Sequence, residues 1–265
     1  MTVQCPELLR ARNREFAIYG EPLGHLIALG VAGPSLIVET TDCWRGYQGT
    51  WEIIDGRLYI VALNGLLDSG ASASLADFFP ENPDRVFAHW YSGALRAIEA
   101  GRRPGEVCRI LSFDQGQITD DREVREDNGG DDWELPYIGP SSPPMFIEAF
   151  SVSSDDTGLS IPVDDIERIE RPFDPVGGAP DRPFGYLNPV WRRFKQQLQE
   201  GDVIAPFSVG YIWRDGLRDR RVGYVALRNS QPGPYFIAPA STLPEQNPAL
   251  LPRAVAAEEQ QQIMN

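Results

Sequence analysis

Apolar and polar positions alternate through much of this chain, and the alternation is broken by short turn signals. The clearest case spans residues 41–61, where Trp51, Ile53, Leu58 and Ile60 flank Asp55-Gly56. A type I′ turn needs positive φ at both central positions, which Asp-Gly supplies. Closing a hairpin there pairs Ile53 with Leu58 and Trp51 with Ile60 on one face. Glu52 then faces Tyr59, and Thr50 faces Val61, on the other.

The same reading gives shorter elements elsewhere. Residues 5–14 mix charged and apolar positions as a short first helix would, and 15–19 follow as a strand. Residues 22–29 form a helical turn carrying His25, and 35–41 a strand. Residues 74–79 make one helical turn stopped by Pro80. Residues 85–98 are rich in β-formers and broken by Gly93, which predicts two strands or one bulged strand. Residues 107–113 and 145–152 read as strands. Asn188-Pro189 opens a helix that places Trp191, Phe194 and Leu198 on one side, with Gly201 after it. Residues 203–209 alternate as a half-buried strand, 222–227 and 235–238 as a hairpin-like pair, and 252–264 as a helical tail. The fold class is therefore α+β, mainly antiparallel sheet with a few short helices.

Composition shifts at residue 114. Residues 114–134 hold nine acidic side chains against Arg122 and Arg125, with Asn128-Gly129-Gly130 in the middle and four prolines soon after. The expected organisation is a β-rich half over 1–113 and an acidic Gly/Pro-rich loop over 114–144. A strand–helix–hairpin half of the same body follows over 145–240, and a tail over 241–265.

Among 265 residues the 25 glycines and 23 prolines favour strands and ordered loops over long helices. The formal net charge of −14 argues against nucleic acid and anionic membrane surfaces as partners and favours a basic protein. No apolar run is long enough to span a bilayer, and the N-terminus lacks the pattern of a secretory signal, so the expected location is cytoplasmic. Cys5, Cys43 and Cys108 give no disulfide framework and no C-x-x-C zinc pair, and two histidines exclude a His-rich metal site. Neither a cofactor nor a metal is expected.

Three groups of residues carry candidate chemistry. In Trp44-Arg45-Gly46-Tyr47 an arginine between aromatics can stack and present donors to a carboxylate or phosphate. The preferred reading is structural: Trp44, Tyr47 and Trp51 fill the core, and Arg45 pairs with an acid such as Glu52. His89, beside Trp90 and Tyr91, is a possible general base, but no G-x-S-x-G turn accompanies it, and a structural histidine is preferred. Arg45 and His89 together define an alternative pocket. The acidic segment lacks the EF-hand spacing. Its Trp133, rimmed by Asp131, Asp132 and Glu134, has the composition of an interface anchor. The expected partner contacts are Asp120, Asp121, Glu123, Asp131, Asp132 and Trp133, with no catalytic residue assigned. Arg214 to Arg221 reads as a polar turn between strands, or as a cationic match for the acidic loop.

The run C-W-R-G-Y-x-G-T-W-E-I-x-D-G-R-L-Y at 43–59, followed by V-F-A-H-W-Y-S-G-A-L-R at 86–96, resembles a group of uncharacterised bacterial proteins. There an RGY-then-WEI hairpin precedes an F-A-x-W-x-S-G-x-L-R strand. The resemblance implies no catalytic residues; it makes an accessory or immunity-type role more credible than metabolism. The leading expectation is an immunity protein that binds and neutralises a cognate toxin through an acidic surface. The alternative is a small hydrolase using His89 or a loop carboxylate as general base.

Overall fold

The computed structural model describes residues 5–31, 33–99, 107–125, 151–212 and 218–239. It is mostly β with a few short helices. Chain contacts divide it into two compact units, residues 1–143 with 173–180, and residues 144–172 with 181–265.

The first unit is built on a closed ring of seven strands. β1 (Glu7–Ala11) and β2 (Arg14–Tyr19) form a hairpin, and α1 (Pro22–Ala28) follows. After a long loop come β3 (Tyr47–Ile54), β4 (Arg57–Leu66), β5 (Ser72–Ala73), α2 (Leu75–Phe78) and β6 (Val86–Phe87). The unit continues with β7 (Gly93–Glu99), β8 (Cys108–Asp114) and β9 (Gln117–Val124). Around the ring the order is β3-β1-β2-β7-β8-β9-β4, and β4 pairs back onto β3, so the sheet closes as a barrel and leaves no edge in the ring. All neighbours are antiparallel except β1 and β3, which run parallel with Leu9 opposite Trp51.

Two turns make the closure. Gly56 and Gly116 both hold positive φ, at 74° and 76°. Their carbonyls accept from Ile118 (2.8 Å) and Leu58 (2.9 Å), which stitches the β3–β4 turn to the β8–β9 turn. Glycine is required at position 116, where a Cβ would lie 2.6 Å from the Ala88 carbonyl oxygen.

The hairpin around Asp55-Gly56 forms with Ile53–Leu58, Trp51–Ile60 and Glu52–Tyr59 as registered, but a bulge between Thr50 and Trp51 places Thr50 opposite Ala62 instead of Val61. Residues 5–14 are not a helix. Arg12 and Asn13 adopt positive φ of 50° and 61°, a tight turn that folds the segment into β1 and β2. Residues 35–41 hold no strand; only Leu36 makes an isolated bridge, to Leu67. The start of the expected acidic loop is strand β9, since pairing with β8 satisfies its backbone. Leu9, Phe16, Ile18, Trp51 and Ile60 are buried inside this unit, each worth ~1.5–3 kcal/mol or more relative to exposure. Residues 173–180 belong to the same unit. The Asp174 carboxylate accepts from Tyr59 Oη (2.6 Å) and from the amides of Val176 (3.0 Å) and Gly178, and the Gly178 carbonyl accepts from Phe87 N (2.8 Å).

The second unit contains α3 (Val163–Ile169), α4 (Asn188–Lys195) and an antiparallel sheet of β10 (Val203–Ile212), β11 (Arg218–Arg228) and β12 (Gln231–Ile237). Trp191 and Phe194 are buried in an aromatic cluster with Phe184, Tyr224 and Phe236, ring centroids 4.7 Å apart at Phe184–Trp191 and 5.3 Å at Trp191–Phe236. Leu198 lies beyond the helix, which ends at Lys195. Glu167 accepts from both Trp191 Nε1 (2.8 Å) and Lys195 Nζ, tying α3 to α4. The expected elements at 145–150 and 252–264, and residues 213–217, lie outside the described residues.

Candidate functional site

The unusual chemistry of the barrel unit lies around Arg45, between Glu7 at the start of β1 and Glu21 just before α1. Alternation along β1 puts Glu7 on the same face as Leu9, hence inside the ring, with 1% exposure. Its Oε2 accepts from Trp51 Nε1. Gly49 makes room for this, because a Cβ there would collide with that same carboxylate oxygen. Glu7 Oε1 makes no hydrogen bond among the described residues and sits 3.6 Å from Arg45 Nε. On the other side Arg45 Nη1 lies 3.8 Å from Glu21 Oε1.

Backbone carbonyls hold the guanidinium in place. Arg45 Nε donates to Tyr47 O (2.7 Å) and Nη2 to Cys5 O (2.8 Å), while the Cζ sits 5.3 Å from the Tyr47 ring centroid. The partner acids are thus Glu7 and Glu21. Glu52, the acid favoured on sequence, faces Arg10 at 3.9 Å. Of the three aromatics expected in the core, Tyr47 and Trp51 are there, whereas Trp44 is 44% exposed.

One buried cation between two buried carboxylates brings more negative than positive ionisable groups together away from the surface, and the electrostatics follow. Burial pushes the Glu7 carboxyl up to about 7, against the opposing pull of Arg45 and the Trp51 N–H. Burial also raises Glu21, again opposed by Arg45. The Tyr47 hydroxyl is driven far up by burial and then by the two carboxylates. The cluster can therefore take up and release a proton near neutrality. Glu7 itself lies behind the barrel wall, closed off from solvent.

Tyr47, which belongs to the cluster, also lines a groove of about 360 Å³ with Glu39, Thr40, Cys43, Gly46, Gln48, Asn64 and Ser72 among others. Its size suits a small molecule or one side chain of a partner.

His89 belongs to a different group. It follows β6, is buried, and packs against Phe87 (centroids 6.2 Å) and Trp90 (5.5 Å). Burial lowers its protonation to about 3, with Asp174 pulling the other way. The structure gives Arg45 and His89 separate surroundings and does not assemble the alternative pocket from them.

Of the expected partner contacts, Asp120, Asp121 and Glu123 lie on β9, and each meets an arginine. Asp121 accepts from Arg109 (2.5 Å) and pairs with Arg12 (2.9 Å), Glu123 pairs with Arg109 (3.1 Å), and Asp120 pairs with Arg122 (3.1 Å). Asp131, Asp132 and Trp133 lie outside the described residues. Among the described residues, no cluster of three or more His, Cys, Asp or Glu side chains is arranged to hold a metal ion. No helix among them is long and apolar enough to cross a membrane.

Sequence reasoning passed over Glu7, Glu21, Asp174 and the pairing of Cys5 with Cys43. Nothing local marks Glu7 or Glu21, since each reads as an ordinary surface acid until the ring closes over it. No family model matches the chain, and no curated protein and no solved structure matches it either.

Proposed function

We propose that this chain is a cytoplasmic binding protein for a cationic protein partner, most concretely a bacterial immunity protein that binds and neutralises a cognate toxin. The observation that carries the reading is the location of the unbalanced charge. On β9 the acids are matched by Arg12, Arg109 and Arg122. Residues 126–150, by contrast, contain Glu126, Asp127, Asp131, Asp132, Glu134 and Glu148 and no lysine or arginine. Nearly half of the net −14 therefore comes from one short stretch of sequence that also contains Trp133. A concentrated negative field speeds encounter with a basic partner, and an aromatic beside it supplies the apolar anchor that charge alone lacks.

The hydrolase reading is weaker because its base is poorly placed. His89 is enclosed by aromatic rings, and its low proton affinity makes it a poor acceptor at neutral pH.

The test is a pull-down with the tagged full chain from its native lysate, repeated with the Asp131→Lys/Asp132→Lys double variant. A stoichiometric basic partner that is lost at high salt, and bound at least ~10-fold more weakly by the double variant, supports the assignment. Unchanged affinity in the double variant removes residues 131 and 132 from the contact surface and the acidic-docking reading with them.

A further inference from the structure

Two of the three cysteines come together beside Arg45. Cys5 lies two residues before β1, and Cys43 lies in the turn that leads into β3. The amide of Cys5 donates to the carbonyl of Asp42 (2.5 Å), the residue immediately before Cys43, so the two segments meet there. The Cys43 thiol donates to Tyr47 O at 3.2 Å. Arg45 Nη2 reaches both the carbonyl and the sulfur of Cys5, at 2.8 and 3.4 Å. The two thiols are close enough to interact with each other, which adds to the effect of burial in pushing the Cys5 thiol up to about 11. Cys108 is different in kind, buried on β8 between Ile98 and Ile110.

We propose that Cys5 and Cys43 are a dithiol that peroxide oxidises reversibly to a disulfide, tying the start of β1 to the turn before β3. Three features favour the pair. Both thiols are free and only partly buried. Cys43 lines the groove, so a small oxidant reaches it first. The backbone bond between residues 5 and 42 holds Cys5 against the residue next to Cys43, and the two side chains interact.

The chemistry balances with peroxide as the only co-reactant. The Cys43 thiolate attacks one peroxide oxygen, the O–O bond breaks, and hydroxide leaves and takes up a proton as water. Cys43 is then a sulfenic acid. Cys5 sulfur attacks Cys43 sulfur, the S–S bond forms as the S–O bond breaks, and the departing hydroxide carries off the Cys5 proton as a second water. Both sulfurs are oxidised and the two peroxide oxygens are reduced. The positive charge of Arg45 at Cys5 stabilises the attacking sulfur as its proton leaves. A dithiol reductant reverses the step by thiol exchange. This inference stands independently of the partner reading.

The experiment treats the purified full chain with hydrogen peroxide and reads intact mass, free thiols and a peptide map. The expected result is a loss of about 2 Da, a single Cys5–Cys43 linked peptide with Cys108 still free, and full reversal by dithiothreitol. The oxidised chain also melts roughly 5–15 °C higher in the barrel unit, because the bond closes the chain from residue 5 to residue 43. In the Cys5→Ser variant the reaction stops at Cys43 sulfenic acid, which dimedone captures. The proposal is overturned if all thiols survive, if oxidation gives only sulfinate or disulfides between chains, or if the 5–43 bond forms only in urea.

Discussion

Replacing Glu7 by glutamine should change how the stability of the barrel depends on pH. Glu7 is fully enclosed, and its carboxyl is raised from 4.5 to about 7. A carboxyl that binds its proton more tightly folded than unfolded stabilises the fold while protonated. That contribution is complete below about pH 4.5 and is lost as pH rises through about 7. A rise from 4.5 to about 7, at about 1.4 kcal/mol per tenfold change in proton affinity, amounts to ~3 kcal/mol. Glutamine keeps the shape and an oxygen for the Trp51 N–H but cannot ionise. The difference in stability between the variant and the parent should therefore move by ~3 kcal/mol in favour of the variant between pH 4.5 and pH 8. Groups that titrate identically in both proteins cancel in that difference, which matters because Glu170 in the second unit is also raised by burial. Urea titration at the two pH values, read by hydrogen exchange in peptides covering β1 and β3, reports on the barrel without interference from the second unit. A difference that stays constant from pH 4.5 to pH 8 would show that Glu7 is ionised throughout and the cluster is not a proton store.

Two further perturbations address the same unit. Gly116→Ala forces a Cβ to within 2.6 Å of the Ala88 carbonyl oxygen and 2.7 Å of Phe87 at a φ of +76°, so the barrel should lose ~2 kcal/mol or more; an unchanged urea midpoint would mean that the β4–β9 seam does not hold the ring. His89, lowered from 6.5 to about 3 by burial, contributes stability that is complete above pH 6.5 and lost progressively as pH falls toward 3; its imidazole resonances should remain those of the neutral ring down to pH 4, and protonation near pH 6 would refute the buried environment.

The parts of this protein that were legible in sequence are those decided within a few residues. Asp55-Gly56 dictated its hairpin because positive φ is a local matter, and alternation on either side placed Trp51, Ile53, Leu58 and Ile60 together. Asn188-Pro189 announced α4 in the same way, although Asn188 enters the helix itself and its side-chain amide donates to Pro183 O (2.9 Å). The failures are equally specific. Glu-Leu-Leu-Arg-Ala favours a helix by propensity, and became β1 because β2 and, in parallel, β3 supplied partners on both sides. The acids of β9 read as the start of an acidic loop, yet β8 took their backbone and three arginines pair with them.

The candidate site lay further from view. Glu7, Glu21 and Arg45 are common surface residues, far apart in the chain, and only the closing of seven strands into a ring buries them together. Cys5 and Cys43 likewise become a pair only because one amide meets one carbonyl across that distance. The sequence by itself determined the turns, the alternation, the excess of negative charge and the absence of a zinc-type cysteine pattern, since each depends on neighbours along the chain. Tertiary structure alone decided which carboxylate holds its proton near neutrality and which thiols meet, because desolvation and proximity are properties of a folded interior.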